Sequence, residues 1–223
     1  MLGRVRWSEG RKLRIEMEQA MGLPVLMLEV PDRTRGRERR LNKGARLLTE
    51  RRATRVLAPP RFEGWPVLLE QGLRPVDTQA LRCALSPAWT RAALAAREIR
   101  PERAVLALSG ERESCDMERV AMELCPLVRN LVIDVPGGGT LAARLRREYG
   151  LPVLPARAVR PDLTLRFHSG PVLEGADFSL PGRSLPWDCE VLPLLSALWE
   201  SGRIKTEEII IRARIVKRNR TKK

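Results

Sequence analysis

The sequence predicts an α/β protein with a Rossmann-like three-layer core, a mostly parallel sheet covered by helices. Between Ala104 and Val153 the chain reads strand, helix, strand, helix, strand, with turn chemistry at every junction. The strand segments there are continuous apolar runs, as strands covered on both faces require. The helical segments carry their apolar residues on one face only.

Taken in order, Leu2–Trp7 and Leu23–Val30 predict two strands, the second ended by Pro31-Asp32. An arginine-rich helix follows from about Gly36 to Arg52, because Leu41, Ala45 and Leu48 share a helical face. Arg55–Ala58 is a short strand before Pro59-Pro60. Residues 1–60 thus form a smaller N-terminal β-α-β unit. Residues 61–100 form a helical connector with helices over Trp65–Gln71, Asp77–Leu85 and Ala88–Glu98. Ser86-Pro87 opens the last of these as N-cap and N1.

The Rossmann-like core is expected over 101–216. Ala104–Leu108 is its first strand, closed by Ser109-Gly110. From Asp116 a helix places Met117, Val120, Ala121 and Leu124 on one face, with Pro126 marking a bend or an end. Leu131–Ile133 is the second strand; Gly137-Gly138-Gly139-Thr140 opens the next helix, and Gly150 takes its left-handed C-cap. Leu151–Leu154 starts the third strand and Leu163–Phe167 is a fourth; 169–188, rich in Gly and Pro, is loop or hairpin. Leu192–Trp199 is a helix, and Glu208–Val216 alternates as a half-exposed C-terminal edge strand. The basic tail 217–223 completes the chain.

Composition narrows the class. Hydrophobic residues make up 43% of 223 positions, enough for a globular core. No apolar run approaches the ~20 residues of a membrane span. The N-terminus lacks an apolar h-region and the four cysteines follow no zinc or disulfide spacing, which predicts a cytoplasmic protein. The net charge of +14 is uneven. Residues 1–58 hold 15 basic and 7 acidic side chains, and residues 212–223 hold 7 basic and none acidic. The stretch between is close to neutral. Arginine outnumbers lysine 35 to 6, a bias that GC-rich coding produces without selection for phosphate contacts.

Ligands in open parallel sheets sit beyond the carboxyl ends of the strands. The loops at Ser109–Cys115 and Val135–Thr140 are therefore the expected place for an anion or nucleotide. The anion-binding set is Gly137, Gly138, Gly139 and Thr140 at a helix start, with Ser109, Gly110 and Asp134 beside them. Asp134 lies near the spacing of a ribose-binding acid, yet neither GxGxxG nor GxxxxGK[ST] is present. No cofactor is identified.

Cys115 near a helix start and the single histidine, His168, are the remaining chemical candidates. One histidine cannot build a histidine-based metal site, and any histidine-dependent catalysis would have to use it. An enzyme whose residues come from distant loops is one alternative. A nucleic-acid-associated protein is another, using Arg37, Arg40, Lys43 and Arg51 of the helix with Lys217, Arg218 and Arg220 of the tail. With one Tyr, three Phe and five scattered Trp, the sequence gives no base-stacking platform, so such binding would be sequence-tolerant.

Overall fold

A computed structural model of the chain describes residues 1–151, 153–156, 159–185 and 188–214. The chain forms two compact α/β units. The first comprises Met1–Thr78 with Gly182–Glu208, and the second Gln79–Pro181 with the segment from Ile209.

In the first unit β1 (Leu2–Ser8) is the central strand. β2 (Arg14–Ala20) and β3 (Leu23–Pro31) form an antiparallel hairpin, and β3 runs parallel to β1. The two hairpin loop residues, Met21 and Gly22, both have positive φ, the geometry whose twist matches that of the flanking strands. α1 (Arg37–Glu50) crosses to β4 (Arg55–Leu57) on the other side of β1; α2 (Trp65–Glu70) then leads to the two-residue β5 (Arg74–Pro75). The sheet order is β2-β3-β1-β4-β5, with β2 alone antiparallel to its neighbour. Leu41, Ala45 and Leu48 of α1 are buried with Val5, Leu26, Leu28 and Val56 of the sheet, so one helical face meets alternate strand positions.

The second unit repeats this layout from a different chain order. α3 (Gln79–Ala95) precedes the central strand β6 (Val105–Gly110). α4 (Cys115–Leu124) leads to β7 (Asn130–Asp134), and α5 (Gly139–Tyr149) leads to β8 (Val153–Leu154). The chain then returns to the other side of β6 as β9 (Leu163–His168), followed by the antiparallel β10 (Gly170–Val172). The order is β10-β9-β6-β7-β8. Leu106, Leu108, Met117, Val120, Leu131, Leu141 and Leu165 share one buried cluster.

Several expectations are corrected. β2 was not anticipated; its alternation of Ile15 and Met17 with charged residues is that of an exposed edge strand. The two helices expected over Asp77–Leu85 and Ala88–Glu98 are one, with Pro87 inside it. Ser86 is no N-cap: its buried Oγ donates to the Arg82 carbonyl at 2.8 Å, a bond within the helix. The 61–100 stretch is not one connector, since α2 and β5 belong to the first unit and α3 to the second. The C-terminal strand is not an edge of the core sheet. β12 (Ile210–Ala213) pairs antiparallel with β11 (Ala176–Ser179) in a two-stranded ribbon. The expected helix at Leu192–Trp199 is α6 (Val191–Glu200), and it packs into the first unit rather than the core. Its Ser196 Oγ donates to the Asp77 carbonyl at 2.6 Å, and its Glu200 pairs with Arg55. The tail 217–223 lies outside the described residues. Among the described residues no helix is long and apolar enough to cross a membrane.

Candidate functional site

The pairing of β6 with β7 sets Ser109 beside Asp134 in register at the carboxyl edge of the second sheet. Ser109 and Gly110 are half-buried and Asp134 is exposed. The glycine turn that follows is largely explained by packing. A Cβ on Gly138 would lie 2.6 Å from Ile133 Cγ2 and 2.8 Å from Val135 Cγ2, and Gly137 has φ +76°. Only Gly139 is free of both constraints. Thr140 is exposed in the first turn of α5, whose N-cap, Gly138, offers no side chain.

The switch point of this sheet lies between β6 and β9, whose connections leave in opposite directions. Side chains of α3 occupy it. Gln79 donates to the Asp116 carboxylate at the start of α4, and its Cγ lies 2.9 Å from where a Cβ of Gly170 would stand. Arg82 donates to the carbonyls of Ser169 at 2.7 Å and Pro171 at 3.0 Å. His168 is exposed at the end of β9. Cys115 opens α4 behind the N-cap Ser114, which accepts from the Met117 N–H at 3.2 Å, and its thiol is free and exposed.

A larger cavity opens at the opposite, amino end of β9. It encloses about 720 Å³ and is lined by Trp89 and Ala93 of α3 with Arg97 just past its end, by the segment from Arg160 into β9, and by Ala213 at the end of β12 with Arg214 after it. Four arginines line it, Arg97, Arg160, Arg166 and Arg214, against two carboxylates, Asp162 and Glu174. Both carboxylates are engaged. Asp162 Oδ2 accepts from the Val105 N–H at 2.8 Å, and Glu174 Oε1 accepts from Arg166 Nη1 at 3.0 Å. Arg214 uses its Nε on Asp177 at 2.6 Å, which leaves its Nη atoms. Arg97 Nη1 donates to the Ala93 carbonyl at 2.8 Å. Arg160 has no ion pair or hydrogen bond with the described residues. Trp89 is 2% exposed, with its Nε1–H on the Glu174 carbonyl at 3.3 Å.

Sequence reading missed this cavity because its arginines are 117 positions apart at the extremes and sit in no cluster. The only sequence signal is the excess of Arg over Asp and Glu at 157–166, ahead of a strand.

The arginine-rich helix divides its charge. Arg40 donates to the carbonyls of Arg33 and Arg35, tying the loop before α1. The Arg37 guanidinium lies 3.9 Å from the centroid of the Trp7 ring. Arg39, Lys43 and Arg46 are exposed on the outward face at i, i+4 and i+7, and Arg51 is exposed just past the helix. Lys217, Arg218 and Arg220 lie outside the described residues. The sequence therefore placed together four basic residues that the structure assigns to different tasks.

No family model and no curated protein matches the chain. The crystal structure of arylmalonate decarboxylase is similar over 70% of this chain and 86% of its own, at 14% identity and a TM-score of 0.23. A likeness that slight carries no argument about fold or function.

Proposed function

We propose that the protein binds an anionic small molecule, of the size of a nucleotide, in the arginine-lined cavity of the second unit. The observation that carries this reading is the surplus of guanidinium groups over free carboxylates in one cavity. Among the described residues Arg160 is unpaired, Arg97 keeps its Nη2 and Arg214 its two Nη atoms without a partner, and both lining carboxylates are already bonded. Guanidinium forks match phosphate and carboxylate geometry, and charge-assisted bonds of this kind are stronger than neutral ones. Trp89, Ala93, Leu163 and Ala213 supply an apolar wall for the body of the ligand. The volume falls within the usual ~300–1,000 Å³ of small-molecule sites. This reading places the anion at the amino end of β9, away from Gly137–Gly139, because packing already accounts for Gly138.

The test is a thermal-shift screen of nucleotides, sugar phosphates and tricarboxylates at fixed ionic strength. Saturating ligand at about 100 Kd raises stability by about 2.7 kcal/mol, a shift of several degrees. A screen in which no anion raises the melting temperature contradicts the reading.

A second reading is supported by the outward face of α1. Arg39, Lys43 and Arg46 are exposed and make no ion pair with the described residues. Such a strip fits sequence-tolerant contact with a phosphate backbone.

A further inference from the structure

The first unit holds a cleft of its own, of about 340 Å³, at the carboxyl end of β1. The chain leaves β1 toward the β2 edge and leaves the neighbouring β3 toward β4 on the other side, so the switch point of the first sheet lies between β1 and β3. Trp7, the next-to-last residue of β1, forms its floor. The ring stacks on Phe62 at 5.5 Å and 28°, and Phe62 meets Trp65 edge-on at 5.5 Å and 84°. The loop that carries Phe62 turns at Arg61 with φ +58°, an uncommon conformation for a non-glycine residue. Gly64 lets this loop lie directly on Leu41, since a Cβ there would overlap the Leu41 and Phe62 side chains.

Three charged groups face this space: Arg37, Glu38 and Glu63. Arg37 is held over Trp7, its Nε 3.4 Å from Asp32 Oδ1. Its two Nη atoms have no partner among the described residues. A guanidinium fixed by stacking with its fork free presents a planar, two-donor site for a carboxylate. Glu38 and Glu63 are exposed and equally without partners among the described residues. A simple anion entering the cleft would meet both carboxylates, and a simple cation would meet Arg37. A molecule carrying one group of each sign satisfies all three. Apart from Thr34 and Gly64, the rest of the wall is apolar, formed by Leu41, Pro66 and Val67.

We propose that this cleft binds a free amino acid with an apolar side chain. Its carboxylate sits on Arg37, its ammonium between Glu38 and Glu63, and its side chain against Leu41 and Val67. The site is independent of the arginine-lined cavity, which uses none of these residues.

The test is calorimetric titration of the full chain at pH 7 with L-leucine, 4-methylpentanoate, which lacks the ammonium, and isopentylamine, which lacks the carboxylate. Leucine is expected to bind, and each single-charge analogue to bind at least about tenfold more weakly, the effect of one lost charge-assisted contact. Glu63→Gln is expected to weaken leucine by a similar factor. Glu63 is exposed, so this variant keeps the wild-type melting temperature and the comparison stands even if Arg37→Lys loosens the stack on Trp7. Arg160→Ala is expected to leave leucine binding unchanged. The proposal is overturned if leucine, methionine and phenylalanine all fail to bind at millimolar concentration. Analogues that match leucine, or a Glu63→Gln variant that binds it as wild type does, also overturn it.

Discussion

At Gly138 one added carbon would stand 2.6 Å from Ile133 Cγ2 in the turn between β7 and α5. Gly138→Ala should therefore destabilise the protein by ~1–3 kcal/mol through overpacking, with the loss visible in urea unfolding whether or not any anion is present. Dependence of that loss on added phosphate would mean that the turn itself holds the ligand. The thiols give a second check at this scale. Burial pushes Cys83 up to about 12, helped by the Asp116 carboxylate, and pushes Cys125 and Cys189 to about 11. Cys115 is exposed. A thiol-reactive probe at pH 8 should label Cys115 alone until the chain is unfolded. A raised folded pKa means that the unfolded chain gives up its thiol protons first. These groups therefore leave stability untouched below about pH 9 and lower it as pH rises from there towards 11–12. The urea midpoint should be lower at pH 10 than at pH 8, and an unchanged midpoint would contradict the burial of these side chains.

Elements were legible where periodicity was strong. β3, α1, β6, α4, β7 and α5 follow from apolar runs and one-faced helices, and Gly150 takes the αL C-cap that its position implied. β2 was not legible because an edge strand with Arg14, Glu16 and even Met17 exposed buries too little to mark its apolar face. α3 was split because Ser86-Pro87 is a genuine start signal in isolation. In the fold, packing of Leu81, Leu85, Trp89 and Ala93 overrides it, and the hydroxyl of Ser86 bonds back to Arg82. Of the candidate residues, Ser109 and Asp134, expected just after their strands, are instead paired with each other among the last residues of β6 and β7. The arginine cavity was not legible, since only the return of β9 and the ribbon brings Arg160, Arg166 and Arg214 near Arg97. On α1 the split between anchored Arg37 and Arg40 and the outward strip makes a definite prediction. If the strip meets duplex DNA, replacing Arg39, Lys43 and Arg46 with Ala should reduce the log–log salt slope by up to ~2.7 at ~0.9 per contact. Equal retention of wild type and variant on DNA at low salt would leave the strip as solvated surface.

Across the whole molecule, two sheets share one layout: a central strand, a parallel neighbour with an antiparallel edge on one side, and two parallel strands on the other. The sequence hides this because the antiparallel hairpin follows the central strand directly in the first unit but comes last in the second. Each unit also takes a segment from a distant part of the chain, Gly182–Glu208 in one and the stretch from Ile209 in the other. Each unit carries a cleft with its own charge pattern, four arginines and two bonded carboxylates in one, a stacked arginine and two open carboxylates in the other. The central claim is that the first of these patterns is an anion site. It is tested most directly by the Kd of the best anion from the thermal-shift screen, measured by calorimetry for wild type and for Arg160→Ala. Arg160 is exposed and unpaired among the described residues, so its removal should not change the melting temperature of the free protein. A Kd raised at least about tenfold is the predicted result. An unchanged Kd would show that the anion binds elsewhere and would contradict the account.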